Sequence, residues 1–179
     1  MAAALGVLVV LALLVAGVGR GCSFAPAGPH VDHDAAPTVD APADLRRLAE
    51  EVPYPVRIPA VPPGWRANSS GLDPTGDADP ARVVRVGYLT PGHRFVRLLQ
   101  GDVSEEQMLR VETGPEAVGA TGFVDVGGIR WVVYGGQDGQ EPIWIADAGD
   151  VRYLITGSAD ESEFRELAAA APAGPVAPR

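Results

Sequence analysis

The chain contains no lysine and only one cysteine, Cys22. A single cysteine excludes an intramolecular disulfide, and without lysine every basic side chain is an arginine. Acidic residues outnumber basic ones by 23 to 14, and the formal net charge is −9. Because nucleic-acid binding depends on neutralising phosphates, this balance argues against a nucleic-acid partner. It also disfavours electrostatic attachment to anionic lipid.

Charged, amide and hydroxyl side chains are absent from one long run, residues 2–19. As an α-helix this run would be about 27 Å long, close to the hydrocarbon thickness of a bilayer. We therefore predict a transmembrane signal-anchor helix at 1–19, which places the protein at the cell membrane with its C-terminal domain outside the cytoplasm. A signal peptide cleaved beyond the run is the alternative. Lipid attachment at Cys22 is disfavoured, because Arg20 interrupts the small residues that should precede such a cysteine.

The rest of the chain divides by composition into three parts. Residues 20–53 are rich in Pro and Ala and predict a linker, with a short helix at 44–52 where apolar residues recur at helical spacing. Residues 54–170 predict one extracytoplasmic domain large enough to form its own core. Residues 171–179 predict a disordered tail.

Within the domain, alternating runs predict strands at 82–89, 94–100, 129–135, 141–147 and 151–157, and 54–72 offers an additional edge strand. Capping boxes at Ser104/Gln107 and Ser158/Glu161 predict the start of two helices. The turns between strands are too short for crossover helices, which indicates an antiparallel sheet. The predicted class is α+β: an antiparallel sheet of about five or six strands with two helices packed on one face, preceded by one transmembrane helix.

The alternation also assigns side chains to the two faces of the sheet. The predicted core face collects Val84, Val86, Tyr88, Val96, Leu98, Ile129, Trp131, Val133, Ile143, Ile145, Val151, Tyr153 and Ile155. The predicted opposite face collects Arg85, Arg97, Arg130 and Arg152, together with Trp144 and Tyr134.

Two interpretations of this second face remain open. In one, the arginines and aromatic rings form a ligand-binding platform, because guanidinium groups bind anions with forked donors and rings offer a stacking plane. In the other, the face is exposed to water and each arginine pairs with an acidic side chain from a loop. Trp65 is a further contact candidate, and a core position is its alternative.

No arrangement of residues specifies a reaction. His30, Asp32, His33 and Asp34 could chelate a metal, but they lie in the predicted linker, where no scaffold fixes a geometry. The spacing of Asp73, Asp77 and Asp79 does not match a calcium loop. His93 is expected in an exposed turn without a nucleophile beside it. We therefore predict no catalytic residue, no metal and no cofactor.

Several short motifs follow one another along the domain: PVRIP (55–59), VPPGW (61–65), GYLTP (87–91), Trp131 with Tyr134, EPIW (141–144), LITGSA (154–159) and a closing helix with Phe164. In order and spacing they resemble an actinobacterial family of membrane-anchored proteins, domain of unknown function 4245. The resemblance implies one N-terminal transmembrane helix and an extracytoplasmic domain. It transfers no catalytic residue. The chain departs from the family pattern in lacking basic residues before the membrane helix.

The leading hypothesis is therefore a membrane-anchored module of the cell envelope that binds a ligand or partner without catalysis. Its ligand would be an envelope glycan, a lipid headgroup or a membrane protein. An envelope hydrolase that uses acidic residues is the alternative, and two carboxylates of raised pKa in one cleft would favour it. A structural or assembly factor for a membrane complex is a third class.

Overall fold

The computed structural model of the protein describes residues 37–76, 81–115, 118–136 and 140–179. The predicted membrane helix at 1–19 and the His30–Asp34 cluster lie outside these residues. None of the described helices combines the length and the hydrophobicity that crossing a bilayer requires. Ala35–Arg179 forms one compact unit.

In chain order the elements are α1 (Ala41–Ala49), β1 (Arg66–Pro74), β2 (Arg82–Leu89), β3 (Phe95–Gly101), α2 (Glu105–Thr113), β4 (Ala120–Val126), β5 (Ile129–Gly135), β6 (Pro142–Asp147), β7 (Arg152–Gly157) and α3 (Glu161–Ala173). The strands form one antiparallel sheet in the order β1-β2-β3-β7-β6-β5-β4. The α+β class is thus confirmed for the described residues, but the sheet has seven strands rather than five or six. Strand β4 was not predicted, because an outer strand with mostly exposed side chains lacks a strong apolar alternation.

The helices cover both faces of the sheet, so the prediction of two helices on one face was wrong. Helices α1 and α3 lie over a main core, to which they contribute Leu45 and Phe164. Helix α2 lies on the opposite face and inserts Met108 into a second core. Consecutive apolar residues on one strand explain the difference, since Leu98 faces the main core and Leu99 the second. A strand that is apolar on both faces requires cover on both.

The predicted core face agrees with the main core except at β6. Ile143 and Ile145 lie in the second core instead. Trp144 pairs across the sheet with Val133 and Ile155, which belong to the main-core face. The alternation along β6 is therefore offset by one residue from the prediction, and that offset exchanges the two faces of a strand.

Helix α1 is an integral part of the folded unit. It was predicted at 44–52 within the linker, and it begins at Ala41 after the N-cap Asp40, whose side chain accepts a hydrogen bond from the Ala43 N–H (3.0 Å). Leu45 and Leu48 are buried in the main core. The helical spacing thus indicated a helix here, but this helix belongs to the core of the folded unit and not to a linker.

Residues 171–179 were predicted to form a disordered tail. In the structure, the C-terminal residues are packed against the folded unit. The N–H of Ile58 donates to the Pro175 carbonyl (3.0 Å), and the N–H of Ala177 donates to the Val56 carbonyl (2.7 Å). We call this pairing of 56–58 with 174–177 the C-terminal clasp. At Gly174 a Cβ atom would lie 2.3 Å from the Ile58 carbonyl oxygen, so the two chains approach too closely for any side chain there.

Candidate ligand-binding groove

The structure places most of the predicted platform on one face. Arg85, Arg97, Arg130, Arg152 and Tyr134 all lie on the side of the sheet that carries α2. On its strand, each of these arginines lies two positions away from a residue that belongs to the second core or packs against it. Tyr134 is itself a member of that core. Because side chains on a strand alternate between faces, this spacing fixes the side on which they lie.

Trp144 does not belong with them, and its predicted face was wrong. Its ring lies 5.3 Å from the ring of Phe164 on α3, inside the main core. The guanidinium of Arg165 approaches the same ring at 5.9 Å. Trp144 therefore holds α3 against the sheet.

Each platform arginine has an acidic partner. Arg85 Nε donates to Asp73 (2.7 Å) and Arg130 Nε donates to Asp125 (3.3 Å). Arg97 pairs with Glu112, and Arg152 pairs with Asp147 and also donates to the Val103 carbonyl. The partners lie on neighbouring strands and on α2 rather than in loops. Arg85, Arg130 and Arg152 thus support the sheet, whereas Arg97 also lines a cavity with room for a ligand.

Two concavities adjoin along α2. The first, of about 380 Å³, is lined by Tyr134, Glu105 and Leu109, among others. The second, of about 260 Å³, is lined by Arg97, Glu112, Thr113, Val118, Gly135, Gln140, Glu141, Ile143 and Thr156. Thr113 and Val118 line both. We call the combined feature the α2 groove; it unites Arg97 and Tyr134 from the predicted set.

The Arg97–Glu112 pair dominates the electrostatics of the groove. Only 8% of the Glu112 side chain and 27% of the Arg97 side chain are exposed. Burial raises the pKa of the Glu112 carboxyl, and the Arg97 guanidinium partly opposes that shift. Glu141 and Asp73 add to the rise because they are negative neighbours. At the other end of the groove, burial and the hydrogen bond to Glu105 raise the pKa of Tyr134 to about 12.

The groove also contains residues that were not predicted as site residues, among them Glu112, Thr113, Glu141 and Thr156. One signal was available for Glu112, which follows Met108 by four residues and therefore shares its helix face. A carboxylate on the buried face of a helix indicates a partner inside the protein. The contribution of β6 and β7 could not be read in this way, because it depends on the tertiary placement of α2.

Metal binding finds no support in the part of the chain that the structure describes. There, no group of three or more His, Cys, Asp or Glu side chains lies close enough to hold an ion. Asp73 pairs with Arg85, and Asp77 and Asp79 lie outside the described residues. His93 lies exposed in the β2–β3 turn, where its backbone N–H donates to the Thr90 carbonyl (2.9 Å).

Trp65 lies beside a separate groove of about 330 Å³ near the start of α1. Its ring is 6.2 Å from the ring of Tyr88, and it packs against the main core while remaining partly exposed. Trp65 thus contributes to the core, and its role as a contact residue stays a prediction.

Comparison with known proteins gives a family. No curated protein and no solved structure matched the chain. The family model described as "Protein of unknown function (DUF4245)" matches residues 1–171. This agrees with the resemblance that the motifs from PVRIP to LITGSA indicated. Because the match spans nearly the whole sequence, the chain belongs to the DUF4245 family.

Proposed function

We propose that the protein is a non-catalytic binding module of the cell envelope that holds a saccharide unit in the α2 groove. In this proposal the apolar run at 2–19 anchors the chain in the cell membrane, and the folded unit lies outside the cytoplasm. The observation that carries the proposal is the largely buried Arg97–Glu112 pair beside an open cavity.

The chemistry of the groove favours a neutral, hydroxyl-rich ligand. A guanidinium that already has a carboxylate partner adds little net charge, so the pair does not attract a strongly charged group. Arg97 supplies donors, Glu112 and Glu141 supply acceptors, and Thr156 can serve as either. Sugar hydroxyls match this mixture because each can both donate and accept. A cavity of about 260 Å³ lies at the small end of ligand sites and suits one sugar-sized group.

Tyr134 lines the other end of the groove, but only 6% of the residue is exposed. The Tyr134 hydroxyl donates to the Glu105 carboxylate, which lines the same end. A second sugar unit would lie beside this hydrogen-bonded pair. The groove would then hold a short segment of a glycan chain.

The hydrolase alternative has one specific observation in its favour. Glu112 and Glu141 line the same cavity, and the pKa of Glu112 is raised. A carboxyl with raised pKa can act as a general acid opposite a second carboxylate. Against this role, Arg97 holds Glu112 in an ion pair and favours its charged form.

Calorimetric titration with a tetramer of N-acetylglucosamine tests the binding proposal. We expect saturable binding by the full chain in mild detergent, and a loss of about tenfold in affinity for Glu112→Gln and Arg97→Gln. Glu166→Gln is the matched control, because Glu166 is an exposed glutamate on α3, away from the groove. Equal affinities for all variants, or no heat of binding, would contradict a saccharide site here.

The same titration mixtures separate the two classes of function. Mass spectrometry after prolonged incubation should recover the tetramer intact if the groove only binds. Shorter oligomers that form with the native chain, and not with Glu112→Gln, would establish the hydrolase instead.

Protease accessibility in intact cells tests the anchoring. We expect digestion of the folded unit from outside, and recovery of the full chain with the membrane fraction. A protected chain found in the cytosol would contradict this part of the proposal.

A further inference from the structure

Strand β4 forms one outer edge of the sheet, and most of its side chains are exposed. Phe123 on this strand is 60% exposed, and the guanidinium carbon of Arg130 lies 4.5 Å from the centre of its ring. An outer strand offers backbone hydrogen bonds to any strand that can lie beside it. Pairing of this edge with another strand would also cover part of the exposed Phe123 ring.

The opposite edge of the sheet is protected. The N–H of Val39 donates to the Ala67 carbonyl of β1 (3.0 Å), and the Ser70 hydroxyl donates to Asp44 of α1 (2.6 Å). Bulges and covering segments are the usual protection of outer strands. A bulge or irregularity occurs in β1 between Ala67 and Ser69 and also in β4 between Ala120 and Gly122, so only the covering segment distinguishes the two edges. Among the residues that the structure describes, β4 is therefore the edge more open to pairing.

We propose that β4 pairs with β4 of a second copy of this chain, antiparallel about a two-fold axis at Val124, so that two sheets become one. When the two-fold axis passes through a residue, the side chains that lie opposite each other point to the same face of the joined sheet. The register centred on Val124 sets Phe123 of each copy directly opposite Asp125 of the other. Side chains in directly opposite positions lie within about 5 Å at their Cβ atoms.

Charge complementarity selects a second copy as the occupant. Arg130 Nε donates to Asp125 of its own chain (3.3 Å), while 65% of the Arg130 side chain remains exposed above Phe123. In the proposed pair, Asp125 of the second copy lies beside Phe123, within reach of this same guanidinium. The two-fold axis repeats the contact, so each Arg130 bridges two carboxylates, as expected of an isologous interface.

Sedimentation equilibrium of the full chain in density-matched mild detergent tests the pairing. We expect a dimer, with its dissociation constant raised about tenfold or more by Phe123→Lys. Val176→Lys is the matched control, because Val176 is the other large exposed hydrophobic residue of the described chain (48% exposed) and lies on the C-terminal clasp. A monomer at the highest concentration, or a dimer that Phe123→Lys leaves unchanged, would overturn the proposal.

Cross-linking tests the register without relying on a disruptive change. In a Cys22→Ser background, Val124→Cys should give a covalent dimer with a short thiol-reactive cross-linker, because the two Cβ atoms meet at the axis. Pro74→Cys, at the end of the opposite outer strand, should remain monomeric. Dimers that form equally at both positions, or at neither, would refute the Val124-centred pairing.

Discussion

Gln100 lies fully buried in β3, and its side-chain amide meets both backbone groups of Arg57. Its Oε1 accepts from the Arg57 N–H (2.8 Å), and its Nε2 donates to the Arg57 carbonyl (2.9 Å). Tyr54 nearby accepts from the Val84 N–H (3.1 Å) through its hydroxyl. Through these contacts the side chains of Gln100 and Tyr54 hold the proline-rich segment against the sheet. Because this segment is not itself a strand, Gln100 supplies the partners that its backbone groups need.

Replacing Gln100 with leucine should remove this support while keeping the volume. We expect Gln100→Leu to lower the free energy of unfolding by about 2 kcal/mol, because the partly buried N–H and carbonyl of Arg57 lose their partners. Urea denaturation measures the change. Gln140→Leu, at an exposed position, should change the free energy of unfolding by less than about 0.5 kcal/mol. Equal losses for the two variants would show that the Arg57 contacts contribute nothing.

Single residues of the groove were only partly accessible to prediction. Arg97 and Tyr134 could be assigned to one face because their strands alternate regularly. Trp144 could not be assigned, because β6 has apolar residues on both faces, so the alternation does not show which side chains point to which face. The acidic partners of the arginines were expected, but their origin in strands and α2 follows from the strand order and from the placement of α2.

At the scale of elements, helix caps were the most readable feature. The capping box at Ser104 and Gln107 is present as predicted. The second box was displaced: Asp160 and Glu163 form it, and Ser158 instead accepts a hydrogen bond from the Phe95 N–H (3.1 Å). Both Ser158 and Asp160 are good N-cap residues, so the choice between them depends on the position of β3.

Asp160 makes the stability of α3 depend on pH. Hydrogen bonds from Ser162 and from the Glu163 N–H, together with Arg94, hold the pKa of this carboxyl below its ordinary value of 3.8. A lowered pKa in the folded state stabilises the fold above the unfolded pKa, and the contribution is lost as the pH falls through the folded pKa.

We therefore expect Asp160→Asn to be less stable than the native chain near neutral pH. Asparagine keeps the cap but removes the charge, so the difference should shrink to zero in strong acid. Thermal unfolding at a series of pH values from about 7 to about 2 measures it. A difference that stays constant, or grows as the pH falls, would contradict this account.

At the scale of the whole molecule, the last residues close the fold. The C-terminal clasp joins residues 56–58 to 174–177, and Arg57 also donates to the Gly174 carbonyl (2.9 Å). Ala177 is buried in the main core. The two partners of the clasp are separated by more than a hundred residues, so it connects the first part of the folded unit to its end.

Removal of residues 174–179 should lower the thermal midpoint by about 10 °C, because the two backbone hydrogen bonds of the clasp, the hydrogen bond from the Arg57 side chain and the buried Ala177 side chain are lost. Differential scanning calorimetry measures the shift. Removal of Pro178 and Arg179 alone is the control, since both are exposed and should matter little. If the longer deletion unfolds at the native temperature, the clasp does not close the fold.

The sequence by itself determined the α+β class, five of the seven strands, an additional edge strand that overlaps β1, the start of α2 and the family, because local alternation, caps and turns are properties of neighbouring residues. Tertiary structure decided that β7 lies between β3 and β6, that α2 covers the face opposite α1 and α3, and that the α2 groove brings Arg97 to Glu112. Those outcomes arise from contacts between distant segments. They are set by the burial of apolar surface on both faces of the sheet, which no short stretch of sequence encodes alone.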